Sequence, residues 1–409
     1  MVRVLVLFVV VTVAAMCSQE LNNAVRAGDL ALVKRLLVAG AAVNVRDALG
    51  GTALHDAAWS GNLGMVNLLL EHGADPNISH SEGGSTPLHY AVITNHPDIV
   101  NALLDHGADL DSRTGAGATA LHLAANRGYR EIVRLLLDRG MKVDVMDSSG
   151  ATPLQEAAWK GQTDVVRMLL NRGASVSPGG ANAPTTPLHQ AARKGHAEVA
   201  ALLLDSGANA NARDASGMTP LEAALRFRHT KVAAVLLDHG AGLPTSQPGK
   251  TGPLREAVLR GQSDVVGLLL DHGARPDGVD EDGATLLHDA ALKGHVSIVR
   301  MLLAKGADPN ARNVSGATPL HDAAVGGNPA VVAALLDHGA KIDARESETG
   351  ATALHEGAEW GRLEVVELLI RRGADIDCPN KSGYSPLKAA IDGGHGDVAT
   401  ALRMSGARK

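Results

Sequence analysis

Aromatic side chains are scarce: Phe, Tyr and Trp make up 2% of the 409 residues, with only three tryptophans and two phenylalanines. That scarcity excludes a core built on large aromatic area and leaves Leu, Val, Ala and Ile, packed over small residues, to fill the interior. Cysteine is scarcer still. Of the two, Cys17 closes an apolar N-terminal stretch and only Cys378 lies in the body of the chain, so no disulfide framework staples that body. An excess of one charge is also lacking, since a net charge of -6 from 38 basic and 44 acidic residues gives no global footprint for nucleic acid or an anionic membrane. No long hydrophobic run is present either. The apolar stretch from Val4 to Met16 falls short of the roughly 20 residues a membrane-spanning helix needs, so no stable span is expected. At 45% hydrophobic and 20% charged, the chain is nonetheless too apolar to be disordered.

The N-terminal stretch reads separately from the rest. Arg3, the apolar run and the small residues Val13-Ala14-Ala15 fit an export signal spanning residues 1–18, cleaved near positions 15 to 18. The expectation is an exported chain, periplasmic or secreted; an uncleaved stretch would instead cap the first helix of a cytoplasmic protein. Met16 and Ala14 are poor neighbours for lipidation at Cys17.

A tetrad recurs along nearly all of the remainder. It runs Thr52-Ala-Leu-His55, Thr86-Pro-Leu-His89, Thr119-Ala-Leu-His122, Thr152-Pro-Leu-Gln155, Thr186-Pro-Leu-His189 and Thr219-Pro-Leu-Glu222. It continues through Gly252-Pro-Leu-Arg255, Thr285-Leu-Leu-His288, Thr318-Pro-Leu-His321, Thr352-Ala-Leu-His355 and Ser385-Pro-Leu-Lys388. Successive starts differ by 33 or 34 residues, and a degenerate copy at Gln19 brings the count to about twelve. This period and tetrad resemble the ankyrin repeat family over residues 19–409. The resemblance implies an all-α repeat solenoid of paired antiparallel helices with projecting β-hairpin-like fingers.

Each part of the unit has its own physical reason. Thr is a good N-cap, and Pro at the first helical position loses no hydrogen bond. Paired small residues such as Ala57-Ala58 permit close helix packing, and a glycine such as Gly61 then breaks the helix. A second helix follows with an apolar stripe, as in "DVVRMLLNRG" from Asp164 to Gly173, and ends at a glycine suited to a left-handed cap. The polar segment before the next tetrad forms the finger. One such pair cannot bury its apolar face alone, so stability must come from stacking, with polar ends supplied by Asn22, Asn23 and Arg26 and by Arg408-Lys409.

In the ankyrin family the residues seven and eight places after the tetrad's first position lie at the end of the first helix, on the concave face that contacts partners. Trp59, Ile93 and Trp159 occupy the first place, and Phe227 and Trp360 the second. Every Trp, and the only Phe beyond the leader, thus falls in two of the unit's positions, as recognition anchors do. The same places hold Arg127, Lys160, Arg193, Lys194, Arg226, Arg260 and Lys293, with acids only at Glu359 and Asp392. The resemblance therefore implies a non-enzymatic scaffold, acting as a monomer, that grips a protein partner with an acidic surface. The competing plain reading keeps these charges solvated, their stems covering neighbouring helices.

No catalytic constellation emerges, and neither cofactor nor metal is expected. "PTSQPGKT", from Pro244 to Thr251, lacks the first glycine of a phosphate-binding loop and does not follow a buried strand. "HEGAE", from His355 to Glu359, is one His short of a zinc motif, and its His belongs to the tetrad. The tetrad histidines stand about 8–10 Å apart at helix-packing distance, far beyond shared metal bonds. The irregular Leu243–Thr251 segment marks the alternative, a ligand-binding or enzyme-associated regulatory subunit. With Arg228 in place of a helix-breaking glycine, that segment also implies a soft joint near 241–252. Asn77-Ile-Ser79 and Asn313-Val-Ser315 are N-glycosylation sequons.

Overall fold

In each repeat the tetrad opens a short helix and the following polar residue opens a second. The computed structural model describes residues 19–178, 185–243 and 252–408. The export signal expected at 1–18 and the phosphate-loop-like Pro244–Thr251 lie outside the described residues, as does most of the expected joint. Ala53–Ser60 is followed by Leu63–Glu71, Pro153–Lys160 by Thr163–Asn171, and Pro386–Asp392 by Gly396–Met404, and the alternation holds throughout. The helices form two compact units, one ending at Ala241 and the other beginning at Gly242. Each is an all-α repeat solenoid.

Within a unit, first helices pack on first helices and second on second, and each pair packs on itself. The sequence permits this closeness because the contacting residues are small. Ala53, Ala57 and Ala58 are fully buried, as are Ala124, Ala125, Ala157 and Ala158, with Leu54, Val66 and Leu69 filling the space behind them. Tryptophan takes no part in this core, which is mostly Leu, Val, Ile and Ala, with Met65 among its largest fully buried side chains.

Glycine ends the second helix by a Schellman arrangement. At Gly73, with φ of 83°, the Gly73 amide bonds to Leu70 and the Ala74 amide to Leu69. The first helix ends equally sharply, and at Gly161 the cap is also an inter-repeat contact. His196 of the next repeat sits there, its Nε2 3.1 Å from the Trp159 carbonyl, and a Cβ at Gly161 would come within 2.5 Å of the imidazole. In the seventh repeat Arg228 takes the same left-handed conformation, with φ of 59°, so the turn survives the loss of its glycine at the cost of backbone strain.

The fingers are turns rather than paired strands. Among the described residues the only β-bridge joins Val279 to Thr285. Among the described residues the fingers close on themselves, as where the Asp47 amide bonds to the Gly51 carbonyl, and lean on one another through single backbone bonds such as Ser81 to Gly50 and Ser148 to Ala116. Arginine side chains add a second tie: Arg113 Nη1 donates to the carbonyls of Gly117 and Met146, and Arg312 Nη1 to those of Gly316 and Arg345. The sequon residue Asn77 is part of this lattice. Its Nδ2 donates to Gly107 at 2.9 Å and its Oδ1 accepts from Asp109 at 2.7 Å, so a glycan on that nitrogen would break a repeat-to-repeat bond.

The N-terminal end departs from the expected polar cap. Asn22 is buried, at the register position that His occupies in later repeats, and Arg26 reaches into the fold to pair with Asp47 and Asp56. Asn23 and Arg26 stay exposed, the latter while holding both carboxylates. Cys378 is a buried free thiol that accepts from Arg345 Nη2.

Candidate functional site

The tetrad fixes where each first helix begins, and so where its end projects. Thr52 is extended at the N-cap; its backbone N–H donates to His55 Nδ1 at 3.1 Å, and its Oγ1 lies 2.9 Å from the same nitrogen. With Nδ1 accepting, Nε2 carries the proton and donates to the Ser85 carbonyl of the next finger at 3.2 Å. His122, His189, His288, His321 and His355 repeat the pattern, each reaching a carbonyl 29 or 30 residues on. Gln155 reproduces both bonds through its amide. The threonine hydroxyl therefore caps the helix amide directly only in some repeats, as at Thr186 and Thr219; elsewhere the imidazole takes it. Burial favours the neutral ring and pushes His55 and His89 down to about 4 from an ordinary 6.5. These histidines are structural bolts. Among the described residues no group of three His, Cys, Asp or Glu is placed to hold a metal ion.

The ends of the first helices form a row along each unit. Trp59 and Trp360 are each 54% exposed and Phe227 52%, whereas Ile93 and Trp159 are half-buried. Arg127, Lys160, Lys194 and Arg226 are exposed and make no ion pair among the described residues. Two cations are already engaged. Arg193 Nη2 donates to Asp214 at 2.6 Å, an acid whose side chain is buried in the following finger, and Arg260 pairs with Glu256 one helical turn back at 2.7 Å. Lys194 instead rests on an aromatic face, its Nζ 3.8 Å from the centre of the Trp159 ring. Lys293 is exposed, beside the exposed Leu292.

This arrangement of buried alanines, imidazole bolts, left-handed glycines and exposed first-helix ends is matched by family models. The model described as ankyrin repeats in three copies matches residues 21–114, 111–179, 176–247, 308–380 and 343–409, and one described as many copies matches 269–321. The chain belongs to the ankyrin repeat family. Ankyrin repeats generally act as protein–protein interaction modules. Among solved structures, the human ASB11 ankyrin repeat domain is 34% identical with a TM-score of 0.49, over 55% of this chain and 99% of that one. A comparison with curated proteins finds no match. No helix among the described residues of this ankyrin chain is long and apolar enough to cross a membrane.

The ankyrin register also exposes residues that position-by-position reading of the sequence passed over. Four places after the tetrad's start, one turn before the row, stand Asp56, Tyr90, Glu156, Glu256, Asp289, Asp322 and Glu356. In the C-terminal unit these acids crowd. Burial, then the nearby charges of Asp289 and Glu346, push Asp322 up to about 7; burial, then Glu346 and Glu359, do the same to Glu356, against an indole hydrogen bond from Trp360. Arg260 and Lys293 therefore share that unit's row with a set of acids one turn back. In the N-terminal unit, Tyr90 and His80 gather around Trp59, with ring centres 5.7 Å apart for Trp59–Tyr90 and 6.0 Å for the stacked His80–Tyr90 pair. Tyr90 carried a legible signal, one of three tyrosines in an aromatic-poor chain; His80 did not, because finger position decides its reach.

Proposed function

We propose that the chain is a non-enzymatic scaffold that holds an extended protein segment along the concave face formed by the first-helix ends. The observation that carries this reading is the exposure of Trp59, Phe227 and Trp360 in two register positions, in a chain that otherwise spends almost no aromatic residues. Exposed large aromatics in a row are costly to hydrate and effective as anchors. In the N-terminal unit Arg127, Lys160, Lys194 and Arg226 run between the anchors, so an acidic stretch of the partner belongs against that part of the row. The C-terminal unit, with Asp322, Glu356 and Glu359, favours no such stretch. An extracytoplasmic setting completes the proposal, resting on the leader-like residues 1–18 and checked by N-terminal sequencing of the native protein.

Selection of displayed peptides on the full chain tests the reading. Peptides rich in Asp and Glu are expected, and they should lose binding to a K160E/K194E/R226E variant that folds normally. Neutral peptides that bind both proteins equally would overturn the electrostatic part.

A further inference from the structure

Beside Trp59 the N-terminal unit has a cleft of about 340 Å³. Its walls are the rings of Trp59, Tyr90 and His80, and its polar end is Asp56, Asp47 and Arg26. The charge balance of that end is settled by contacts. Arg26 Nε takes Asp56 Oδ2 at 3.0 Å while its Nη2 takes Asp47, so one guanidinium faces two carboxylates and the cleft keeps an excess of one negative charge. An anionic ligand would find Arg26 already spent. Burial of Asp56 beside aromatic rings makes that excess charge costly without a partner, and its carboxyl is pushed upward accordingly.

The chain itself shows what such a ring accepts. Trp159 stands in the same register place as Trp59, and Lys194, from the following repeat, seats its ammonium 3.8 Å above the indole. The residue in the register of Lys194 beside Trp59 is Thr94, whose hydroxyl donates to the Tyr90 carbonyl at 2.8 Å and offers no cation. Trp59 is left 54% exposed. The first two tryptophans thus share a register position, and the one with the chain's own lysine over its ring has its face covered while the other, packed against Tyr90, has no such cation.

We propose that the Trp59–Tyr90–His80 cleft receives a lysine or arginine side chain of the partner segment, its charge over the aromatic faces and hydrogen-bonded to Asp56. This rests on the scaffold reading and names one contact within it: a basic anchor on the part of the segment that lies against the second and third repeats. A cation over desolvated aromatic faces is favourable where water competes poorly, and the Asp56 carboxylate supplies directional acceptance for an N–H donor.

The test uses the full chain and four probes: the N-acetyl amides of lysine, arginine, norleucine and glutamate. Binding is read from the indole N–H signal of Trp59 in two-dimensional NMR, assigned with W59F. The lysine and arginine probes should shift that signal with millimolar affinity, and the neutral norleucine probe should bind at least about fivefold more weakly. Thr94→Lys supplies the intramolecular cation that Trp159 already has, and it should abolish the shift while leaving the helical content unchanged. Asp56→Asn should weaken both cationic probes several-fold. Norleucine binding as well as lysine would overturn the proposal, as would cationic probes that bind T94K and the parent alike. Preference between the two cationic probes decides which basic side chain the cleft takes. Failure here would leave any dependence of peptide capture on Trp360 and on the Lys160–Arg226 charges untouched, so it is distinguishable from failure of the scaffold reading.

Discussion

Acidification from pH 7 to pH 5 should loosen the second and third ankyrin repeats through their buried imidazoles. His55 and His89 are 2% and 0% exposed, and burial pushes each down to about 4 from an ordinary 6.5. For His55 the neighbouring His80 and Arg46 act in the same direction. The unfolded chain takes up a proton at each ring as pH falls through 6.5, while the folded chain resists until about 4. Stability is therefore full above 6.5 and is lost progressively across that window. At pH 5 the linkage amounts to about 2 kcal/mol per ring, or about 4 kcal/mol for the pair, a large part of what an ordinary domain possesses. Carboxyl groups work the other way: Asp322 and Glu356, pushed up to about 7, favour the folded state as pH drops below that value. A whole-chain melting point would blend the two signs. The suitable assay is hydrogen exchange in graded urea, read on peptides covering residues 53–103 and corrected for the intrinsic pH dependence. Gln155 supplies the control, since its amide makes the same two bonds as His55 without titrating. The H55Q/H89Q variant should fold at pH 7 and lose little protection at pH 5. If it lost as much as the parent protein, or if the parent lost nothing, the imidazole argument would be wrong.

Other outcomes follow from the same geometry. Replacing Trp59, Trp159 and Trp360 by Ala should weaken peptide capture at least about tenfold while helical circular dichroism is unchanged; unfolding would show them to be packing residues instead. Arg228→Gly should raise stability by about 1 kcal/mol in urea titration, because the left-handed φ of 59° costs an arginine and not a glycine. Asp322→Asn with Glu356→Gln should stabilise the C-terminal unit by on the order of 1–3 kcal/mol at pH 8, where both carboxyls are charged in the unfolded chain, with the gain vanishing near pH 4. Arg193→Ala should raise exchange in the 207–218 finger, since it strands the buried Asp214 carboxylate.

What the sequence by itself determined was the local grammar. Thr or Ser before Pro-Leu or Ala-Leu starts a helix, paired alanines let it pack, and a glycine at Gly61 or Gly73 turns the chain, because capping, side-chain volume and φ preference are properties of a few adjacent residues. Twelve copies of that grammar are enough for an all-α solenoid of ankyrin type, and they also place the tryptophans in register. What only the tertiary structure decided was which like residues do unlike things. Arg193 and Lys194 are neighbours in sequence, yet one is tied to Asp214 and the other covers Trp159. Asn22, polar by composition, is buried, and Asn77 of a sequon is spent on a carbonyl thirty residues away. The aromatic cleft at Trp59 draws on the first repeat, two fingers and two further helices, and the half-buried acids at Asp322 and Glu356 draw on three repeats. Each depends on contacts about one repeat length apart along the chain, where stacking alone sets the distance between side chains.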